Sequence, residues 1–334
     1  MKSIIITFLI LSFTGAAVAD DLKTKAAVKS LTKDLAKLTP DAELCVEPAK
    51  AFNDDLDEES KKIADKKWYP GAKDCEAPKA KEPPYEVLEV NPGFYILRQN
   101  KCVNFEAPFV YLTIGTEGAL LFDTGASESI KDLNLRGWVD EVLKKQPNGD
   151  KLKLVVAHSH SHGDHTAGDE QFAGRPNTTI VGQDPTEVAA AFNVKNWPTG
   201  TGEIDLGNRK LTILPIPGHE ASSIAVYDHK SGDMLTGDTL YPGNIFLSDD
   251  SWTEFSDSIS RLKTFSKTHP IRNILGAHIE MSDKPKVEFP YGSTFHPEEH
   301  KLPLYKRHLD EVYNYTQKNK KPKETKFDDI MLTL

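Results

Sequence analysis

The run His160-Ser161-His162-Gly163-Asp164-His165 sets four metal-ligand side chains within six positions, directly after the apolar stretch Lys151 to Ala157. A strand that ends in a tight turn aims several side chains at one point, and Gly163 and Gly168 give the chain the freedom to make that turn. Imidazole nitrogen and carboxylate oxygen are the donors that borderline zinc takes. A polar surface loop has no reason to concentrate them, and His-rich tracts are metal suspects on composition alone.

Three later residues repeat the pattern. His219 follows Leu214-Pro215-Ile216-Pro217-Gly218, Asp238 follows Met234-Leu235-Thr236-Gly237, and His278 follows Ile274-Leu275-Gly276-Ala277. Singly, each reads as well as a hydrogen-bonded histidine or a turn aspartate. Their common place at the end of an apolar strand joins them to the first run.

The runs Tyr85 to Val90, Gly93 to Arg98, Phe109 to Ile114 and Ala119 to Phe122 read as a β-meander. Helical spacing then marks Leu135 to Gln146, Thr186 to Phe192 and Glu254 to Ser266, interleaved with strands near Lys151 to Ala157, Leu211 to Ile216, Ile224 to Tyr227, Met234 to Thr236 and Asn273 to Leu275. Strands first and then strand and helix in alternation indicate a layered α/β arrangement. A C-terminal helix, about Leu304 to Tyr315, precedes a Lys-rich linker and an apolar end, Ile330 to Leu334.

Lys2 followed by the apolar Ile4 to Phe13 and the small residues Ala17-Val18-Ala19 has the form of a signal peptide, with cleavage expected after Ala19. The domain boundaries are then 1–19 signal, 20–84 an N-terminal helical and irregular extension, 85–295 the catalytic domain, and 296–334 a C-terminal helix and tail. The extension opens with an amphipathic helix, Leu22 to Leu38. The mature protein is expected in the periplasm or outside the cell, with no membrane attachment after signal removal. The net charge of -9, or -10 once Lys2 is lost, disfavours a nucleic-acid partner. Of the three cysteines, Cys45, Cys75 and Cys102, an oxidising compartment would bridge one pair. Spacing does not choose it; Cys45 to Cys75 is the expectation.

The His-x-His-x-Asp-His run followed by a distant His, Asp and His resembles the signature of the metallo-β-lactamase superfamily, over roughly Tyr85 to Ser282. The resemblance implies a four-layer αββα sandwich of two mixed sheets flanked by helices, with two zinc ions at one edge. Carried over by position, His160, His162 and His219 would bind the first zinc, and Asp164, His165 and His278 the second. Asp238 would bridge them, and Asp123 in Phe122-Asp123-Thr124-Gly125 would anchor a ligand histidine from beneath. His158 finds no ligand position in the motif and takes a supporting or solvated one, while His229, His269, His296, His300 and His308 read as surface residues.

Two zincs about 3.5 Å apart would hold a hydroxide at neutral pH, which would attack an ester, thioester or lactone carbonyl, with Asp164 as its proton shuttle. True β-lactamases of the superfamily typically carry cysteine or serine at the place of Asp238, so a secreted β-lactamase is the alternative, with a small-phosphodiester hydrolase and a noncatalytic zinc-binding module beyond it. Export from cytosolic glutathione and a short tail argue against a glyoxalase II proper. Tyr241 would either donate to a developing oxyanion or pack as an ordinary core tyrosine. The substrate is a small molecule. Its acyl group would be chosen by the loops Phe192 to Glu203, Tyr241 to Trp252 and Ser282 to Phe295, through Trp197, Phe246, Trp252, Phe289 and Tyr291.

Overall fold

A computed structural model describes residues 57–76 and 82–334. The expected signal peptide, the helix over 22–38 and Cys45 lie outside the described residues.

β1 (Tyr85–Asn91), β2 (Phe94–Gln99), β3 (Phe109–Ile114), β4 (Gly118–Phe122), β5 (Lys153–Ala157) and β6 (Thr178–Ile180) form a six-stranded sheet in that order. The first four are an antiparallel meander, while β4, β5 and β6 run parallel. Next come β7 (Gly202–Asp205), β8 (Lys210–Pro215), β9 (Ile224–Asp228), β10 (Met234–Gly237), β11 (Asn244–Phe246), β12 (Ile274–Gly276) and β13 (Pro303–Leu304). All but β11 make a second mixed sheet, ordered β13-β12-β10-β9-β8-β7. β11 instead pairs in parallel with β15 (Met331–Thr333), which pairs with β14 (Thr325–Lys326). The helices are α1 (Glu58–Ala64), α2 (Leu135–Lys144), α3 (Gly163–Thr166), α4 (Pro185–Ala191), α5 (Trp252–Phe265) and α6 (Lys306–Lys318).

Period-two alternation sorts the strand residues into layers. Along β2, Phe94 and Ile96 meet Leu211, Ile213 and Val226 of the second sheet in one core. Tyr95 and Leu97 face outward onto α2, whose Leu135, Trp138, Val139 and Val142 make a helical apolar stripe. Behind the second sheet, Leu214, Ala225 and Met234 pack on Phe255 and Ile259 of α5 and Leu309 and Val312 of α6. Each fully buried large side chain contributes about 1.5–3 kcal/mol. The layers are helix, sheet, sheet and helix, the αββα order expected from the sequence. Among the described residues no helix is long and apolar enough to cross a membrane.

Several expectations need correction. The disulfide joins Cys75 to Cys102, with Cα atoms 5.2 Å apart, rather than Cys45 to Cys75. The segment carrying Cys75 is also tied to the stretch between β12 and β13, where the His296 amide donates to the Pro70 carbonyl at 2.8 Å and Gly71 bridges to Phe295. The stretch read as irregular contains α1, capped by the Asp57 side chain, and its Ile63 enters the inter-sheet core along with Trp68. His296 and His308 are buried, not on the surface, because Glu299 and Asp329 accept their ring nitrogens at 3.2 and 2.8 Å. His229 is exposed, and His269 and His300 are half-buried.

Candidate metal centre

All the residues singled out by sequence for the centre leave strand ends at one edge of the sandwich. After β5, Asp123 at the end of β4 fixes the loop: its Oδ1 accepts the Ser159 amide at 2.6 Å. Asp123 takes a left-handed φ of 72°, uncommon for a residue other than glycine. The loop turns into the single-turn α3, the His165 amide donating to the His162 carbonyl at 3.0 Å. From the second sheet, Gly237 presses on this loop; a Cβ there would lie 2.4 Å from Cβ of Ser159, so only glycine lets β10 deliver Asp238.

The donors fall into two groups, each drawing on both sheets: His160, His162 and His219, and Asp164, His165, Asp238 and His278. In the first, Nδ1 of His162 lies 3.0 Å from Nε2 of His160 and 3.1 Å from Nε2 of His219. In the second, Oδ2 of Asp164 lies 3.0 Å from Nε2 of His165 and 3.3 Å from Nε2 of His278. Asp238 divides between them. Its Oδ2 stands 3.7 Å from His219 and 3.9 Å from His160, and its Oδ1 3.4 Å from His278 and 3.6 Å from His165.

These groups fit a pair of small divalent cations. Donors around a tetrahedral zinc at about 2.0–2.1 Å lie about 3.3–3.4 Å from one another, close to the spacings here. Oδ1 of Asp238 is buried and accepts no hydrogen bond, leaving lone pairs that a cation would satisfy. Four rings are also held from behind. Nδ1 of His165 meets Asp123 at 3.0 Å, Nδ1 of His160 meets the Ser159 hydroxyl at 3.0 Å, and Nδ1 of His219 and His278 meet the carbonyls of Phe246 and Glu106 at 3.0 and 2.9 Å. Such contacts fix the tautomer and aim the opposite nitrogen inward.

Charge follows the same plan. Burial disfavours the charged form of His278 and His165, yet Asp238 and Asp164, with Asp123 behind His165, together outweigh it and lift His278 to about 9 and His165 well above its ordinary range. Burial raises the carboxyls of Asp164 and Asp238, but the facing histidines hold both well below the usual carboxylate range. His160 goes the other way, pushed well below its ordinary value by burial and by His165.

A cleft of about 770 Å³ opens over both groups. Phe246, Phe289 and Tyr291 line it as the sequence suggested. Trp197 packs instead against the inter-sheet core and Trp252 is buried in the core of α5, so the loop over 192–203 contributes nothing to the wall. Tyr241 is buried beside the centre, its ring 5.6 Å from that of His278. Its hydroxyl donates to the Asn244 carbonyl and lies 3.3 Å from Oε2 of Glu280. His158 is buried with Nε2 2.8 Å from Asp169, away from both donor groups. Sequence reasoning missed Glu106, Glu280, Glu324, Met331 and Thr333 in the wall. Glu280 was within reach, two residues past His278; Met331 and Thr333 arrive only through the pairing of β15 with β11.

The chain is similar to several known proteins. The chain is 28% identical over 105 residues to a hydroxyacylglutathione hydrolase of Synechococcus sp. (strain JA-2-3B'a(2-13)), covering 31% of this chain and 41% of that protein. It is 24% identical over 176 residues to the acyl-coenzyme A thioesterase MBLAC2 of Homo sapiens, covering 44% and 62%. In each case the match spans less than two thirds of the relative's length. A metallo-β-lactamase from Pontibacter korlensis superposes with a TM-score of 0.48 at 21% identity, over 70% of this chain and 100% of that one. Residues 103–268, which include six of the seven residues of the two donor groups, match the model of the metallo-β-lactamase superfamily. With its two mixed sheets, flanking helices and histidine-aspartate edge, the chain belongs to the metallo-β-lactamase superfamily.

Proposed function

We propose that this chain is an exported hydrolase that holds two zinc ions and cleaves acyl bonds of small molecules, thioesters foremost among ester, thioester and lactone substrates. The observation that carries the reading is the division of Asp238 between two donor groups, one oxygen toward each. His160, His162 and His219 would hold one ion, Asp164, His165 and His278 the other. When bound, the metals would polarise the scissile carbonyl and lower the pKa of a water so that it attacks at neutral pH.

The chain's own residues supply the remainder. Asp164 lines the cleft and would hold and pass on the proton of the attacking water. Asp123, Ser159 and the carbonyls of Phe246 and Glu106 keep the rings from turning away. The cleft's volume suits a small ligand. Thioesters come first because the names of the relatives, hydroxyacylglutathione hydrolase and acyl-coenzyme A thioesterase, denote thioester cleavage. Export rests on the apolar N-terminal run and is supported by the Cys75–Cys102 disulfide.

A panel of thioesters, aryl esters, lactones and a chromogenic β-lactam, assayed on zinc-loaded protein of measured metal content, tests the reading. Thiol release that disappears with a chelator and in Asp238→Ala, at two zincs per chain, is the expected result. Turnover of the β-lactam alone would overturn it. Sequencing the N-terminus of the mature protein tests export, with Asp20 expected first.

A further inference from the structure

We infer that the cleft sorts its substrates by charge, accepting those whose non-reacting half is apolar and either neutral or cationic and rejecting those built on polyanionic carriers. This rests on the hydrolase reading and narrows it. Besides Asp164 and Asp238, the wall carries Glu106, Glu280, Glu288 and Glu324, and no lysine or arginine is among the described residues that line it. Two lysines close to these carboxylates are already paired, one of them with a carboxylate of the wall. Lys101 is buried behind Glu106 and Glu280, 3.5 Å from Glu299, and Lys326 lies 3.2 Å from Glu288. Glu280 is fixed in the wall by the Asn244 amide at 2.8 Å.

A second, independent feature points to the same ligand. Tyr291 is 76% exposed and Phe246 42% exposed, an unusual display of aromatic surface, and both line the cleft. They stand edge to face at 6.5 Å, and Tyr291 also meets Phe105 at 5.2 Å. Aromatic faces beside carboxylates suit an apolar or alkylammonium group, through contact area and cation–π attraction. A phosphate-bearing thiol carrier would press its own negative charges on these carboxylates with no cationic side chain to receive them. The donor groups face the reacting carbonyl; the walls face everything else.

The test is a set of thioesters with one acyl group, butyryl, on four thiols: thiocholine, N-acetylcysteamine, glutathione and coenzyme A. On the zinc-loaded protein at low salt, kcat/KM for the thiocholine and N-acetylcysteamine esters should exceed that for the coenzyme A ester by tenfold or more. High salt and the double variant Glu288→Gln/Glu324→Gln should both shrink the gap. Equal or better turnover of the coenzyme A ester would overturn charge sorting and leave the hydrolase reading intact. Should none of the four release thiol, the hydrolase reading fails on thioesters, and binding then decides the inference. The non-hydrolysable thioethers S-butylthiocholine and S-butyl-coenzyme A, titrated calorimetrically into the same protein, should bind in that order, and the reverse order would overturn it.

Discussion

Asp123 grips two parts of the metal-centre loop at once, with Oδ2 3.0 Å from Nδ1 of His165 and Oδ1 accepting the Ser159 amide at 2.6 Å. Asn is the informative replacement because it tolerates the left-handed backbone at this position. In Asp123→Asn one carboxylate contact is lost while the shape is kept. Zinc affinity of the group containing His165 should fall about 10–100-fold. Competition against a chelator of known affinity reads this, and unchanged affinity would remove the anchoring role.

The raised histidines tie metal binding to protons. At pH 7 the metal-free protein carries protons on His278, whose pKa is about 9, and on His165, which lies higher than usual. Loading should therefore expel about two protons per chain. Calorimetry in buffers of different ionisation enthalpy measures the number. Without metal, the His278 charge pairs stabilise the fold fully below the ordinary imidazole value of 6.5, and that stability is lost as pH rises through about 9. Chelator-treated protein should accordingly show a lower denaturation midpoint at pH 9.5 than at pH 6.

Tyr241 separates a catalytic hydroxyl from a structural one. Loss of an oxyanion donor costs about 100-fold or more in kcat. Since its proton already goes to the Asn244 carbonyl, Tyr241→Phe should keep kcat within about threefold and lose about 1 kcal/mol of stability. A hundredfold fall in kcat at unchanged metal content would restore the oxyanion role.

Behind the cleft wall, Glu299 gathers three nitrogen-bearing partners, of which Arg98 is the firm cation; burial pushes the His296 imidazole down and the Lys101 ammonium to about 7. Arg98 binds it with two nitrogens at 2.5 and 2.8 Å, Lys101 lies at 3.5 Å and His296 at 3.2 Å. Burial raises the Glu299 carboxyl, but Arg98 more than offsets this and brings it to about 2. Glu299→Gln would leave Arg98 buried without its counter-charge, at a cost of about 3–5 kcal/mol. Chemical denaturation measures it. A Glu299→Leu/Arg98→Met double variant that recovers stability would assign the loss to the stranded charge.

What could be read from the sequence followed from how strongly local chemistry advertises itself. The apolar run ending at Ala157 and the donors just beyond it mark both a strand and its functional end. The same holds at Pro215, Gly237 and Gly276. β6, β11, β14 and β15 are only two or three residues long and none is followed by the donor residue that marks the equally short β12, so the third sheet was unreadable. Trp197 and Trp252 were misplaced because an aromatic residue near a site looks the same whether it faces a cleft or a core. His308 owes its burial to Asp329, 21 residues away, and the partner of Cys75 was decided by tertiary proximity.

The parallel pairing of β15 with β11 also bears on how the protein is handled. Met331 and Thr333 line the cleft, and Leu334 follows directly. An affinity tag fused after Leu334 would emerge next to these cleft-lining residues. A polyhistidine tail there would bring surplus imidazoles within reach of the donor groups, competing for the zinc that an assay is meant to supply. Kinetic work on this chain therefore calls for a tag that is removed, or one inserted away from the last strand.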